Sequence, residues 1–262
     1  MKGARAMSDL TVPTGRFARL GTPLARAALV LAAACGLAML IAGLGYRQHW
    51  WGVGSGIRIL MGATVGALLA ALIAAIAGVA GWRAASRPTV AWAVAGLVLG
   101  ALLAVPPLLT ARQSTRVPAI HDITTDTEDP PRFVAVVSLR TGANPLDYRP
   151  EVAAEQRRAY PDLAPALLDM PPASALLLAH RAVQAMGWEI VTVSPDDLRI
   201  EATATTRLFG FKDDIVVRIR PAPQGSRLDI RSVSRVGRSD LGVNAQRIRA
   251  YLAKLEELRR GG

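Results

Sequence analysis

A chain of 262 residues that is 51% hydrophobic and only 19% charged has a mean hydropathy of +0.28, which calls for membrane segments rather than a wholly soluble fold. One cysteine excludes an internal disulfide framework and a cysteine-based zinc site, and three scattered histidines give no metal centre. The net charge of +11 points to nucleic acid only until it is located: residues 1–116 hold eleven basic residues against the single acid Asp9, while residues 117–262 hold twenty against nineteen. The excess therefore belongs to the hydrophobic half, where membrane topology accounts for it, and nucleic acid is not an expected partner.

Three uncharged apolar runs, Ala27–Gly45, Ile59–Trp82 and Val90–Leu109, each have the roughly 20 residues that a spanning helix needs. Tyr46, Trp50, Trp51, Trp82 and Trp92 fall at or near their ends, as interfacial aromatics do. Lys2, Arg5, Arg16, Arg19 and Arg26 predict a cytoplasmic N-terminus, so three crossings put the C-terminus outside. Arg83 and Arg87 in the second loop agree with that orientation, whereas Arg47, Arg58, Arg112 and Arg116 oppose it. Small residues recur at every fourth position in the second run (Gly62, Gly66, Ala70, Ala74, Gly78) and in the third (Gly96, Gly100, Ala104). This spacing lets helices approach closely, either within the chain or in an oligomer. No Asp, Glu, Lys, Arg or His lies inside a run, which argues against transport. Pro106–Pro107 is expected to bend or end the third helix. Gly52–Gly56 reads as a turn between spans rather than a phosphate loop, because no strand precedes it and no Lys-Ser/Thr follows. Leu31–Cys35 departs from a lipoprotein cleavage site, since the apolar run continues past it.

Beyond Arg116 the composition changes. Val117–Pro131, with Asp122, Asp126, Glu128 and Asp129, reads as a linker or ordered strap, without the glycine and terminal glutamate of a calcium loop. Phe133–Val137 is a candidate edge strand and Glu151–Tyr160 a candidate helix. From Ser174, apolar residues at 176, 179, 183 and 186 predict an amphipathic helix closed by Gly187. Strands follow at 188–194, 198–207, 215–220 and 227–235, joined by short turns. Leu198, Ile200, Ala202 and Ala204 alternate with Arg199, Glu201, Thr203 and Thr205, so the strand presents one apolar and one polar face. Ser239 or Asp240 caps a last helix with the stripe Leu241, Ala245, Ile248, Leu252, Leu255. The fold class is then three transmembrane helices plus an α+β soluble domain, a four-stranded antiparallel meander with amphipathic helices before and after it. Its core is expected from Ile200, Ala202, Ile215, Val217, Ile219, Leu228, Ile230, Ile248 and Leu252.

The segments Phe209–Arg218 (FGFKDDIVVR) and Asp229–Ile248, with its Arg-Ser-x-Ser-Arg-x-Gly run, closely resemble domain-of-unknown-function family 1499, as do Gly187–Ile190 and Ile120–Asp126. The resemblance covers roughly residues 117–258. It implies a fold, often accompanied by membrane segments in bacterial and plastid proteins, and no established activity.

Pairing Ile219 with Leu228 sets a hairpin register in which Val217 faces Ile230, Ile215 faces Ser232, Asp213 faces Ser234, and Arg218 opposes Asp229. Asp214 then sits diagonally near Arg231 and Arg235. Asp213, Asp214, Arg231, Ser232, Ser234 and Arg235 gather at one end of the sheet, where Arg238, Asp240, Asn244 and Arg247 at the start of the last helix can join them. Such a cluster is either a structural network or an anion or polar-ligand pocket. Catalysis has weaker support: no Ser-His-Asp arrangement is visible, and no metal ligand set or cofactor motif is found. The expectation is a membrane-anchored, non-enzymatic envelope protein with residues 1–116 in the inner membrane and residues 117–262 in the periplasm, or outside the cell where there is no outer membrane. Its partners are the lipid bilayer and an envelope protein or anionic ligand. The alternative is an envelope hydrolase using Asp213 and Asp214, against which stands the rule that adjacent strand residues point to opposite faces.

Overall fold

The computed structural model describes residues 14–261, which divide into two compact units meeting between Leu109 and Thr110. Lys2 and Arg5 lie outside the described residues, as do the side chains of Arg16 and Arg19, so most of the charge behind the orientation reading has no structural counterpart.

The first unit is built from α1 (Thr14–Arg47), α2 (Val53–Arg83) and the greater part of α3 (Arg87–Ser114). All three helices are long and apolar enough to cross a membrane. Their large side chains, among them Val30, Leu40, Leu72, Ile76 and Leu102, point outward, and their small ones point inward. A soluble core would show the reverse. Ala70 and Ala74 on α2 are fully buried, and a side chain at Gly96 would meet the Leu29 backbone and Ala74. At Gly100 it would come within 2.8 Å of the Ala67 carbonyl. These small residues thus pack helices of the same chain, whereas Gly62 faces open space. α3 runs through Pro106–Pro107 to Ser114, so the prolines do not end it, as membrane helices allow where neighbouring groups satisfy the freed carbonyls. One expectation is corrected. The loop between the first two spans ends at Gly52, and the glycines at 54 and 56 belong to the first turn of α2.

The second unit contains β1 (Asp122–Thr124), a 3-10 helix (Ala135–Leu139), α4 (Pro150–Ala159), β2 (Ala166–Leu168), α5 (Pro172–Ala185), β3 (Glu189–Ser194), β4 (Arg199–Thr205), β5 (Lys212–Ala222), β6 (Gly225–Ser234) and α6 (Val243–Arg260). The four-strand meander β3–β6 is antiparallel throughout, and β1 and β2 extend it to six strands by pairing with the far side of β6. The hairpin register is the one the alternation implies, Ile219 opposite Leu228 and Asp213 opposite Ser234. α5 and α6 cover the apolar face, burying Leu176, Ala179, Val183, Ile200, Ile215, Val217, Leu228, Ile230, Ile248, Tyr251 and Leu255, with Leu252 at the margin. Two glycines serve turns that other residues resist. Gly187 ends α5 at φ +68°, and at Gly225 a side chain would come within 2.3 Å of the Leu168 carbonyl.

The second face of the sheet is covered as well. Residues 125–149 form a strap across it, and Phe133, Val136, Val216 and Val233 make a small apolar core between strap and sheet. The strand expected at Phe133–Val137 is instead the lead-in and first half of the 3-10 helix, and the reason is Glu201. Its carboxylate is fully buried and accepts the backbone N–H groups of Val134, Ala135 and Val136 at 2.9, 3.1 and 2.9 Å. Those donors would have to face a neighbouring strand for the segment to be one. Instead they converge on one anion, as helix N-termini do. The outer edge of β1 is closed by a side chain: Gln156 of α4, 1% exposed, accepts from the Thr124 N–H at 2.9 Å and donates to its carbonyl at 2.6 Å.

Glu201→Ala leaves three backbone donors, that of Val136 buried and those of Val134 and Ala135 partly buried, without their acceptor and is expected to lower stability by about 3 kcal/mol. Hydrogen exchange should show the amides of Val134–Val136 losing protection before those of β5 and β6. Equal loss in strap and sheet would show that Glu201 does not hold the strap.

Candidate functional site

The ten polar residues singled out at the end of the sheet divide between its two faces. Odd-numbered residues of β5 share the α6 side with the even-numbered residues of β6, and the remainder face the strap. Asp213, Ser232 and Ser234 therefore meet Asn244 and Arg247, whereas Asp214, Arg231 and Arg235 meet the strap.

On the α6 side, Ser232 Oγ donates to Asn244 Oδ1 at 2.7 Å and accepts from Arg247 Nη1 at 3.1 Å. Arg247 also bonds Asn244 Oδ1 and places Nη2 2.6 Å from Asp213 Oδ2. Asn244 Nδ2 donates to Ser234 Oγ at 2.9 Å and to the His121 carbonyl at 3.0 Å. Both serine hydroxyls are thus engaged, and neither touches a base that could activate it. Asp240 accepts from the backbone N–H groups of Gly242 and Asn244 at 2.8 and 2.9 Å, which caps α6 from two residues before its left-handed Gly242. Burial pushes the Asp240 carboxyl above its ordinary value, with the two N–H bonds pulling the other way.

On the strap side, Asp214 is 0% exposed and fully engaged. Arg235 grips it bidentately at 2.9 and 2.8 Å, Thr203 Oγ1 donates to it at 2.8 Å, and Arg140 from the end of the 3-10 helix completes the shell. Burial lowers the pKa of Arg140, and Asp214 pulls it back up. Arg231 lies near Asp214 by register but does not pair with it. Its guanidinium takes Asp122 of β1 bidentately at 2.9 and 2.7 Å, reaches the Pro131 and Leu146 carbonyls at 3.1 and 2.6 Å, and lies over the Phe133 and Tyr148 rings. Further along the same face, Asp126 and Asp229 are shared by Arg218, Arg220 and Arg227. The pairing of Arg218 with Asp229 is the one that the hairpin register implies.

Sequence reasoning missed Arg140, Asp122, Glu201, Thr203 and Gln156 as members of this network. The missing signal was the partner segment. Glu201 and Thr203 alternate as a solvent-facing row would, and nothing local shows that a strap covers them. Arg238 stands apart, exposed beside a cavity of about 400 Å3. Among the described residues no group of three or more His, Cys, Asp or Glu side chains is placed to hold a metal.

The family model described as "Protein of unknown function (DUF1499)" matches residues 122–255, which begin at β1 and end within α6. The match covers just over half of the chain, and the protein belongs to this family. No curated protein matches it.

Removing Asp214 leaves Arg140 and Arg235 facing each other without their anion. Breaking a buried pair costs about 3–5 kcal/mol, so Asp214→Ala should lower the melting temperature sharply. Arg235→Ala should cost less, because Arg140 still neutralises Asp214. The double variant should fall short of the summed losses. Additive losses would show that the residues do not act as a unit.

Proposed function

We propose that the protein is a non-enzymatic component of the cell envelope, anchored in the cytoplasmic membrane by its three apolar helices. Residues 117–262 lie outside the cytoplasm and recognise an anionic or polar ligand or an envelope partner. The observation that carries the non-enzymatic reading is saturation. Asp213 and Asp214 are buried on opposite faces, each held by arginine, and Ser232 and Ser234 are bonded to Asn244. Paired carboxylates that share acid and base work must face one substrate, and this geometry gives Asp213 and Asp214 none in common. The outward placement of the domain rests on the basic N-terminal residues together with an odd number of spans.

Two measurements test the reading. A cytoplasm-restricted fluorescent reporter fused after Gly262 should stay dark while an alkaline phosphatase fusion at the same point is active; the reverse pattern overturns the orientation. In cells lacking the protein, Asp213→Asn and Asp214→Asn variants should restore function in proportion to their abundance. A variant that is folded, abundant and inactive would make the carboxylate a functional group and favour the hydrolase.

A further inference from the structure

We infer that the cavity bounded by the start of β1, the loop before α4 and the loop between β6 and α6 is a binding site for a phosphate-bearing anion. The inference rests on the ligand-recognition reading and gives it a place and a chemistry. The cavity has a volume of about 400 Å3, in the range of small-ligand sites, and His121, Asp122, Asp147, Arg149, Val152 and Arg238 are among its lining residues.

The charges around this cavity differ from those of the interior network. Arg140, Arg231, Arg235 and Arg247 are each consumed by a buried aspartate. Arg149 and Arg238 come from separate segments, line the same cavity, are exposed, and form no ion pair among the described residues. The carboxylate of Asp122 does not repel an anion here, because Arg231 neutralises it bidentately. Asp147 remains as an exposed acceptor, suited to a hydroxyl carried beside the anion. The His121 ring is fixed by a 3.3 Å contact from Nδ1 to the Arg238 carbonyl, which ties the Arg238 loop to the cavity wall.

The start of α4 adds to this. Arg149 is its N-cap residue, Pro150 occupies the first turn, no side chain caps the helix, and Val152 of that turn lines the cavity. A helix start without a capping side chain carries partial positive charge. Two exposed arginines lining one cavity match a tetrahedral oxyanion of high charge better than a lone carboxylate.

Such a phosphate has two possible sources, a soluble phosphate ester or a lipid headgroup.

The test uses the full chain in nanodiscs. In discs of neutral phosphatidylcholine, glycerol 3-phosphate or inorganic phosphate should raise the melting temperature saturably if the ligand is soluble. If it is a headgroup, stabilisation should appear when phosphatidylglycerol replaces part of the lipid. In whichever arm responds, Arg149→Ala and Arg238→Ala should each weaken the effect on the order of tenfold, leave the melting temperature without phosphate unchanged, and act together in the double variant. Arg181→Ala, an exposed arginine on α5, should change nothing. Phosphate binding that survives the Arg149/Arg238 double substitution would overturn this site and leave ligand recognition standing elsewhere on the domain. No response in either arm would overturn the phosphate assignment, and if citrate and extracts of envelope proteins also failed to bind, the recognition reading would fall with it.

Discussion

Charge on one face of the sheet can be buried only if every charge finds a partner. Asp214, Glu201, Asp229 and Arg231 are all at most 3% exposed, and leaving any of them unpaired would cost several kcal/mol. The meander β3–β6 cannot supply all the partners. Asp122, Asp126, Arg140 and the backbone donors of Val134–Val136 come from residues 122–140, which contain only a three-residue strand and a short 3-10 helix. The strap has little regular structure of its own because its hydrogen bonds go to side chains of the sheet. In turn the sheet's polar face is buried only because the strap lies on it.

The two faces therefore hold the fold together by different means. Against α5 and α6 the sheet buries branched aliphatic side chains, and the contribution is hydrophobic and non-directional. Against the strap it uses paired charges with a small apolar centre, and the contribution is directional. The polar cluster at the sheet end belongs to both layers. Its α6 half joins the helix start to β5 and β6, and its strap half joins the 3-10 helix to the same two strands. Alternation along β5 is what separates them, since it sends Asp213 to one layer and Asp214 to the other.

How much of this was legible follows from which interactions are local. The hairpin register is encoded within Lys212–Ser234, where turn position and alternation decide it, and every pair expected there is present. The helices and the apolar core were legible for the same reason, as was the assignment of the apolar runs to spans. Arg140–Asp214 and Arg231–Asp122 join residues far apart in sequence. Neither end carries a pattern that names the other, so Arg231 was placed near Asp214, its diagonal neighbour, when its partner lies on β1. Glu201 misled in the same way. In alternation a glutamate reads as solvent-facing, and only the backbone N–H donors of a distant segment make it an interior residue.

Buried ion pairs add little net stability compared with well-packed apolar groups of the same volume, because desolvation offsets much of their attraction. Their use here is better understood as register. An apolar strap could slide along an apolar face by two residues at small cost, keeping each side chain on its side. This strap cannot. Asp122 of β1, from which the strap leads off, must meet Arg231, Asp126 must lie among Arg218, Arg220 and Arg227, Val134–Val136 must meet Glu201, and Arg140 must reach Asp214. A shift that satisfies one of these breaks the others and strands charges in the interior. The four contacts together fix where the strap leaves the sheet, and so where the loop carrying Asp147 and Arg149 meets the loop carrying Arg238. The cavity beside those arginines thus inherits its shape from an interior whose own charges are already spent.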